Sequence, residues 1–305
     1  MKIFYLGCLL AGQLLSYTLQ GQYYFSANNQ PEDEWMWELG ASAGAMNCLT
    51  DIGGSNSSGK KFISAINWNQ TRFCGGFFAS ATRHSTAAVR LQANAGQAAG
   101  NDDVLKNSSG LARTRYYRHL QFRTTVVELS LTGELHLIPL FNPGRDLPLF
   151  SPYITGGMGF FYYNPQALIN NVWVDLRPLH TEGQGFAEYP DRAAYKSLSW
   201  CLPVGAGIKY DAARQVNVRV ELLYRFTGTD YLDDVSTRYV DPSSFSKYLP
   251  ATEAVLAEKL SNRSGAVAGD IAYKKDAIRG NPANKDAYFS LLFSISIALG
   301  RIPRK

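Results

Sequence analysis

The sequence predicts an eight-stranded antiparallel transmembrane β-barrel with long extracellular loops and short periplasmic turns, and three observations support this prediction. Eight segments alternate apolar and polar residues, as strands with one apolar face do. Their connections are alternately long and short, as in outer-membrane barrels. The composition, with 27 Gly, 18 Tyr, 16 Phe and only 18% charged residues, is typical of an all-β chain with many turns.

The N-terminal residues 1–22 have the pattern of a secretory signal peptide. Lys2 precedes an apolar run over residues 3–15, and polar and small residues follow near Gly21. The run is too short to cross a bilayer as a helix, which takes about 20 residues. We therefore expect export, a periplasmic N-terminal segment at 23–34 and an outer-membrane barrel at 35–305.

The eight strand segments follow in order along the mature chain. The clearest is the fourth, where Val127, Leu129 and Leu131 oppose Glu128 and Ser130. Long polar connections at 47–70, 98–119, 164–197 and 227–286 are predicted to face outside, and short turns face the periplasm. The predicted strands are 35–46, 73–82, 87–97, 122–138, 153–163, 198–210, 216–226 and 287–300.

The rival interpretation is a secreted β-sandwich or soluble barrel with the same alternation. Against it stands a predicted aromatic girdle at the strand ends, because lipid interfaces attract amphipathic rings. The predicted girdle therefore favours the OmpA-like membrane barrel. The girdle consists of Trp35, Trp37, Tyr153, Phe161, Tyr163, Tyr210, Tyr224, Phe226 and Phe289.

Charged residues on the predicted inward faces indicate an ion-pair network in the lumen, because charges removed from water need partners. A structural plug is the plain interpretation, and a proton or solute path is the alternative. An eight-stranded barrel leaves room for little beyond side chains. The network residues are Glu38, Arg90, Glu128, Glu134, Arg219, Glu221 and Arg225.

The same faces hold no convincing catalytic or metal motif. Ser130, Glu134 and His136 share a face, but Ser130 and His136 are six residues apart, roughly 20 Å along a strand. Asp230 and its neighbours could offer oxygens to calcium, but the spacing lacks the pattern of a calcium loop. Loop ordering is therefore the preferred role for these aspartates, and no cofactor is predicted.

Two local features concern the loops. Asp241 before Pro242, followed by the run 246–260, predicts one or two short helices with an aspartate cap. After signal removal three cysteines remain, Cys48, Cys74 and Cys201, so not all can pair internally. A disulfide between Cys48 and Cys74 is left open.

Four phrases resemble PorG-like outer-membrane barrels of the type IX secretion apparatus. They are TDYLDDVSTRYVD at 229–241, LHTEGQG at 179–185, PYITGGMGFFYYNP at 152–165 and LPVGAGIKY at 202–210. The likeness extends from residue 35 to the C-terminus. Its most specific residues are Thr181, Glu182, Gly183, Asp230, Tyr231, Asp233 and Asp234.

The resemblance implies a non-enzymatic barrel in the outer membrane that contacts a periplasmic ring made of a lipoprotein and a soluble protein. The ring would meet the periplasmic turns and the basic C-terminal tail. Nucleic acid is not expected as a partner, because the net charge is only +5 and no Lys/Arg cluster stands out. The predicted docking residues are Arg83, His84, Arg145, Asp146, Arg214, Arg301, Arg304 and Lys305.

Two other functions stay open from the sequence. One is an adhesion or binding barrel that acts through its long outer loops. The other is a lipid-modifying outer-membrane enzyme, for which no residue spacing nominates a site.

Overall fold

The computed structural model describes residues 35–53, 68–83, 85–141, 149–213, 215–268 and 273–299. The predicted signal peptide at 1–22 and the N-terminal segment at 23–34 lie outside these residues. Within them, nine strands form one antiparallel sheet. The strands are β1 Met36–Leu49, β2 Arg72–Arg83, β3 Ala87–Asn101, β4 Gln121–His136, β5 Phe150–Ile169, β6 Val172–Asp175, β7 Leu198–Ala213, β8 Val216–Thr227 and β9 Ala287–Ala298.

Eight of these strands close into a barrel. Their order is β4-β3-β2-β1-β9-β8-β7-β5, and a further pairing of β4 with β5 joins the two ends. Each barrel strand therefore has two antiparallel neighbours, which leaves no open edge around the barrel. The predicted eight-stranded antiparallel barrel is confirmed.

The one described strand outside the closed barrel is β6, a short extension of the sheet that the sequence prediction missed. It pairs with the far end of β5 through Ile169 and Val172. The two residues between them, Asn170 and Asn171, both have positive φ, at 50° and 60°. Two successive positive φ values are the geometry of a type I′ hairpin turn, which asparagine tolerates.

The two faces of the barrel differ in polarity as predicted. On β8, Val220 and Leu222 are 39% and 53% exposed, whereas Arg219 and Glu221 are at most 2% exposed. Exposed apolar side chains face outward on all eight barrel strands. Exposed apolar side chains on successive strands include Leu39, Phe77, Leu91, Leu129, Phe160, Val204, Leu222 and Phe293.

This exterior has the dimensions of a lipid-facing belt. On β4 the exposed apolar residues run from Val127 to Leu135. Those eight steps span about 26 Å along the strand, or about 20 Å of height at a tilt of about 40°. Apolar bands of transmembrane barrels are about 25 Å tall. A closed barrel with such a surface on every strand satisfies its backbone internally and suits a bilayer rather than water.

The predicted aromatic girdle is wrong for three of its members. Tyr153, Phe161 and Tyr163 are at most 1% exposed and point into the lumen. The outward side chains of β5 include Ile154 and Phe160, which are 47% and 62% exposed. Apolar or aromatic residues occupy both the odd and the even positions of this strand, so alternation could not assign its faces. The other six predicted girdle residues are exposed or partly exposed.

The two ends of the barrel are unequal, as predicted. At the turn end, short connections join β2 to β3, β4 to β5 and β7 to β8, and β1 begins beside the end of β9. At the cap end, four long connections fold over the barrel mouth and form the cap, whose described residues are 50–53, 68–71, 102–120, 170–197, 228–268 and 273–286. A short helix, Leu137–Phe141, replaces the predicted last residues of the fourth strand, which ends at His136.

Short helices complete the chain. In the described ranges, none of them is long and apolar enough to cross a membrane. The predicted helices of the last loop are confirmed, and the Asp241 side chain accepts a hydrogen bond from the Ser243 backbone N–H, as an N-cap does. The α-helices are α1 Leu111–Arg118, α2 Leu137–Phe141, α3 Phe245–Tyr248, α4 Ala251–Ser261 and α5 Gly265–Ala268, with 3-10 turns at Trp68–Gln70, Asp102–Leu105, Arg177–Leu179 and Pro242–Ser244.

Candidate functional site

The lumen near the turn end holds a layer of ion pairs centred on Arg219. Its guanidinium lies 2.5 Å from Glu38 and 2.9 Å from Glu134. Arg90 lies 2.7 Å from Glu134 and also pairs with Glu221. All five side chains are essentially inaccessible to solvent. The structure therefore places these predicted residues in one connected network.

Lys209 belongs to this layer, although the sequence prediction did not include it. Its Nζ pairs with Glu38. The outward parity of β7, with Leu202, Val204 and Ile208 exposed, could have identified Lys209 as inward. With it, the layer contains three cations and three carboxylates, so its formal charges cancel. The layer is Glu38, Arg90, Glu134, Lys209, Arg219 and Glu221, called here the lower ion layer.

Uncharged donors complete the lower ion layer. The Tyr153 hydroxyl donates to Glu221 at 2.8 Å. Asn217 and Ser296 both donate to Glu38 at 3.1 Å. Buried carboxylates that are paired and also hydrogen-bonded avoid the large cost of isolated buried charge.

A second ion pair lies nearer the cap. Arg225 Nε donates to Glu128 at 3.0 Å. Tyr288 and Ser130 hydroxyls donate to the same carboxylate at 2.8 and 2.9 Å. The Arg225 guanidinium also lies 5.4 Å from the centroid of the Tyr288 ring. This arrangement accounts for the remaining two predicted network residues.

Apolar and aromatic side chains fill the lumen around the Arg225 pair, and on β8 Leu223 lies on its turn-end side. Met46, Phe161, Tyr163, Leu223 and Leu292 pack in one cluster, and each is at most 1% exposed. The lower ion layer, the Arg225 pair and the apolar cluster around that pair thus occupy the described lumen. Such packing fits the structural-plug interpretation better than a solute path.

Ser130 and His136 are separated, as the spacing predicted, whereas His136 Nε2 lies 3.6 Å from the Glu134 carboxylate. Ser130 donates to Glu128, and His136 Nδ1 lies 3.0 Å from the Ser151 hydroxyl. Ser130 and His136 therefore engage different partners.

In the cap, Glu182 is the junction of several loops. Its carboxylate accepts hydrogen bonds from the backbone N–H groups of Ser236 and Thr237, at 3.0 and 2.9 Å. Arg279 donates to it at 2.9 Å and also donates to the Asp234 carbonyl at 2.7 Å. The TEGQG phrase and the TDYLDDVSTRYVD phrase are therefore in direct contact.

Thr181, Gly183 and Tyr231 extend the same contact. Thr181 donates its hydroxyl to Asp234. Gly183 has a φ of +70°, and a Cβ there would lie 2.6 Å from the Tyr189 ring, so only glycine fits. The Tyr231 ring stacks on Tyr195 with centroids 4.6 Å apart. The motif residues are thus structural members of the cap.

The three aspartates considered for calcium bind separate protein groups. Asp233 accepts from the Ile52 and Val235 backbone N–H groups, each at 2.9 Å. Asp234 accepts from Tyr195 at 2.6 Å, and Asp230 accepts from Ser236 at 2.7 Å. In the part of the chain that the structure describes, no group of three or more His, Cys, Asp or Glu could hold a metal. Loop ordering is the role that the geometry gives them.

Burial raises the pKa values of these aspartates, which makes them weaker acids than exposed aspartates. Desolvation raises the pKa of Asp230 to about 7, with the charge of Asp51 adding to the shift and the Ser236 hydrogen bond opposing it. Desolvation also raises the pKa of Asp234 to about 6, against the charge of Arg279. The pKa of Asp233 is raised well above its usual range by burial and by nearby Asp51. Protonation of the cap is therefore coupled to its folding.

A second buried pair, missed by the sequence prediction, ties α1 to other loops of the cap. Arg118 donates to Asp102 at 3.0 and 3.1 Å and to the Arg279 carbonyl at 2.5 Å. Both residues lie in a polar loop without periodicity, so no sequence signal could have paired them.

The predicted docking residues lie mostly outside the described residues. Arg83 is exposed at the turn end, and its guanidinium lies 5.7 Å from the Trp35 ring centroid. Docking at this end stays a prediction. The others, outside the described ranges, are His84, Arg145, Asp146, Arg214, Arg301, Arg304 and Lys305.

The three cysteines within the described residues are free thiols. Cys74 and Cys201 are buried in the apolar lumen layer, and the Cys48 thiol lies 3.5 Å from the Ala99 carbonyl oxygen. The disulfide between Cys48 and Cys74 that the sequence left open is not formed in the structure.

Comparisons with known proteins find only solved structures of low similarity to this chain. No protein-family model matches the chain, and no curated protein matches it. Among solved structures, the N-terminal barrel domain of Pseudomonas aeruginosa OprF is similar at a TM-score of 0.33 and 7% identity, over 86% of this chain and 97% of that one. Neisserial surface protein A is similar at a TM-score of 0.36 and 7% identity, over 86% of this chain and 96% of that one.

The outer membrane protein AlkL, solved in lipid bilayers, gives a TM-score of 0.36 and 10% identity, over 93% of this chain and 100% of that one. All three TM-scores are below 0.5, so these likenesses carry no argument about what the chain does. The barrel assignment rests on the strand pairing, and the membrane assignment rests on the apolar exterior.

Proposed function

We propose that this chain is a non-enzymatic outer-membrane barrel of the type IX secretion apparatus, which anchors or contacts the periplasmic ring. The observation that carries the proposal is the packed lumen. Arg219, Glu134 and Arg90 belong to the buried, charge-balanced lower ion layer, and Phe161 and Leu292 belong to the apolar cluster around the Arg225 pair. A barrel filled in this way is better suited to holding a position in the membrane than to passing a solute.

The identity of the apparatus comes from the sequence resemblance. Its most specific residues, among them Glu182 and Asp234, are contact residues of the cap rather than isolated surface residues. A buried structural role explains how such phrases can mark a family of barrels. It leaves the partner-binding surface to other parts of the molecule.

The partners of this proposal are outer-membrane lipid and the lipoprotein and soluble subunits of the ring. In the proposed orientation the cap faces outside and the turn end faces the periplasm. The turn end presents exposed Arg83 beside the strand start near Trp35. Short connections at that end would keep a docked ring close to the membrane.

The first test is genetic. Deletion of the gene should abolish secretion of type IX substrates, and the intact gene supplied in trans should restore it. Normal secretion in the deletion strain would contradict the proposal. The fractionation control is heat-modifiable migration of the protein from isolated outer membranes, whose absence would contradict the localisation.

The second test concerns the docking face. Substituting Arg83→Ala together with Arg145→Ala and Arg214→Ala should reduce co-purification of the ring subunits from detergent extracts. The matched control is Arg113→Ala, an exposed arginine of the cap. Equal recovery of the ring with both proteins would place docking elsewhere.

A further inference from the structure

A pocket of about 420 Å³ opens in the cap, between the 3-10 turn Arg177–Leu179 and the beginning of α4. Its wall combines charged, amide and aromatic side chains with two prolines and a leucine. Small-molecule sites are commonly concave, with apolar walls and a few fixed polar groups. The side chains that matter below are Arg177, His180, Gln184, Tyr248 and Glu253.

Gln184 supplies an unpaired donor to this pocket. The residue is 1% exposed, and its Oε1 accepts a hydrogen bond from the Glu182 backbone N–H at 3.1 Å. That bond fixes the amide, and its Nε2 has no hydrogen-bond partner in the described structure. Buried polar groups in folded proteins nearly always have partners. A ligand oxygen in the pocket would supply one.

Two opposite charges line the same pocket. Neither Arg177 nor Glu253 has an ion pair or side-chain hydrogen bond within the described part of the chain. A guanidinium presents a planar set of donors that fits a carboxylate. Glu253 would repel a doubly charged phosphate, but it can accept hydrogen bonds from hydroxyl groups. The charges therefore favour a ligand with one carboxylate and several hydroxyls.

Tyr248 offers a fixed aromatic face. One side of its ring stacks on Phe186, with centroids 4.3 Å apart and planes 11° apart. Its hydroxyl is held at 2.6 Å from Glu188. The side chain is nevertheless 42% exposed, so the other side of the ring is open to a ligand. The C–H face of a pyranose ring packs well on such a surface.

We propose that this pocket binds an acidic monosaccharide unit of the uronic-acid class. The sugar ring lies on Tyr248, its carboxylate meets Arg177 and the Gln184 amide, and its hydroxyls donate to Glu253. His180 lines the same wall and can hydrogen-bond the ligand. This binding site is independent of the secretion role proposed above, because it lies in the cap and involves no contact with the turn end.

The test is binding of glucuronate to the purified full-length barrel in detergent. Saturation-transfer NMR and titration calorimetry measure this binding. We expect saturable binding in the range of about 1 mM, and at least roughly tenfold weaker binding of glucose, which lacks the carboxylate. No saturable binding of glucuronate would overturn the proposal. Equal binding of glucose would also overturn it.

Variants locate the site. Arg177→Gln and Tyr248→Leu should each raise the Kd for glucuronate by about tenfold or more. Tyr248→Phe keeps the ring and should retain binding. Lys259→Gln removes the same charge from an exposed position of α4 outside the pocket and should have no effect. Heat-modifiable migration verifies that each variant is folded, and unchanged binding in folded Arg177→Gln and Tyr248→Leu would exclude this pocket.

Discussion

Arg279 donates a hydrogen bond to the Glu182 carboxylate at 2.9 Å, although the two residues are 97 positions apart in the chain. Both side chains are buried, at 2% and 0% exposure. The same carboxylate holds the Ser236 and Thr237 backbone, so this single pair joins the second-last and last loops of the cap. The cap should therefore depend on it more than on any exposed pair.

Arg279→Met should destabilise the cap by about 3–5 kcal/mol, because it leaves Glu182 as a buried charge without its cation. The barrel itself should stay folded, since its strands pair independently of Arg279. Limited proteolysis measures the cap, and heat-modifiable migration on a gel measures the barrel. We expect rapid cleavage in the cap of the variant with unchanged barrel migration.

The matched control for this experiment is Lys247→Met, which removes the exposed pair between Lys247 and Glu188 at 3.1 Å. Exposed pairs contribute little because water screens them. The control should be cleaved at the wild-type rate. Equal cleavage of the two variants would show that the Arg279 pair does not hold the cap.

In the lumen, Arg225 and Glu128 allow a double-mutant test of the ion plug. Arg225→Met alone should cost about 3–5 kcal/mol of unfolding free energy, because Glu128 remains buried without a cation. Arg225→Met combined with Glu128→Gln should recover most of that loss, since the buried charge is gone and the amide can still bond Tyr288 and Ser130.

Urea unfolding in lipid vesicles measures each member of this cycle. Additive losses in the double variant would show that the two side chains are not energetically coupled. The same proteins in planar bilayers test the packing directly. Wild type should give no stepwise conductance, and a stable open channel would contradict the packed lumen.

The cap should lose stability as pH rises from about 4 to about 7. The pKa of buried Asp230 is raised to about 7 in the folded protein, whereas an unfolded aspartate titrates near 3.9. In that window the folded cap holds a proton that the unfolded loop has released, so stability is greatest below the unfolded pKa and falls as pH rises through the folded one. Asp233, whose pKa is raised in the same direction, adds to the effect.

The measurement is the urea concentration at which half of the cap becomes cleavable, taken at about pH 5.5 and about pH 8. It should be higher at the lower pH, and Asp230→Asn should reduce the difference. Asp191→Asn, at an exposed position in another cap loop, is the control and should preserve it. A wild-type cap that is more stable at the higher pH would contradict the assignment.

The strands and most of the lumen were predictable because both depend on local alternation. In β8 the polarity of Val220 against Glu221 decides the faces without any knowledge of neighbours. In β5 that information is missing, since apolar and aromatic residues occupy both parities. The sequence therefore predicts Tyr163 at the membrane interface, although it lies in the lumen with its hydroxyl 2.9 Å from Thr229.

The cap was the part that the sequence could not supply. Its essential contacts, such as Arg118 with Asp102 or Arg279 with Glu182, join polar residues from loops without periodicity. The resemblance singled out Glu182 and Asp234 as characteristic, but it could not say that they touch. Only the three-dimensional arrangement turns these family markers into a structural core and brings Gln184 to the pocket.

Exposure alone does not distinguish lipid-facing from water-facing residues, and two positions separate these environments. Leu131 is 50% exposed near the middle of the apolar run of β4, whereas Val172 is 60% exposed on β6, at the cap end. Leu131→Arg should reduce the folding free energy in phospholipid vesicles by about 2–4 kcal/mol, the cost of arginine near the bilayer midplane. Val172→Arg should change it little, because water can solvate the guanidinium there. Equal folding free energies for the two variants would mean that the exterior of β4 does not face lipid.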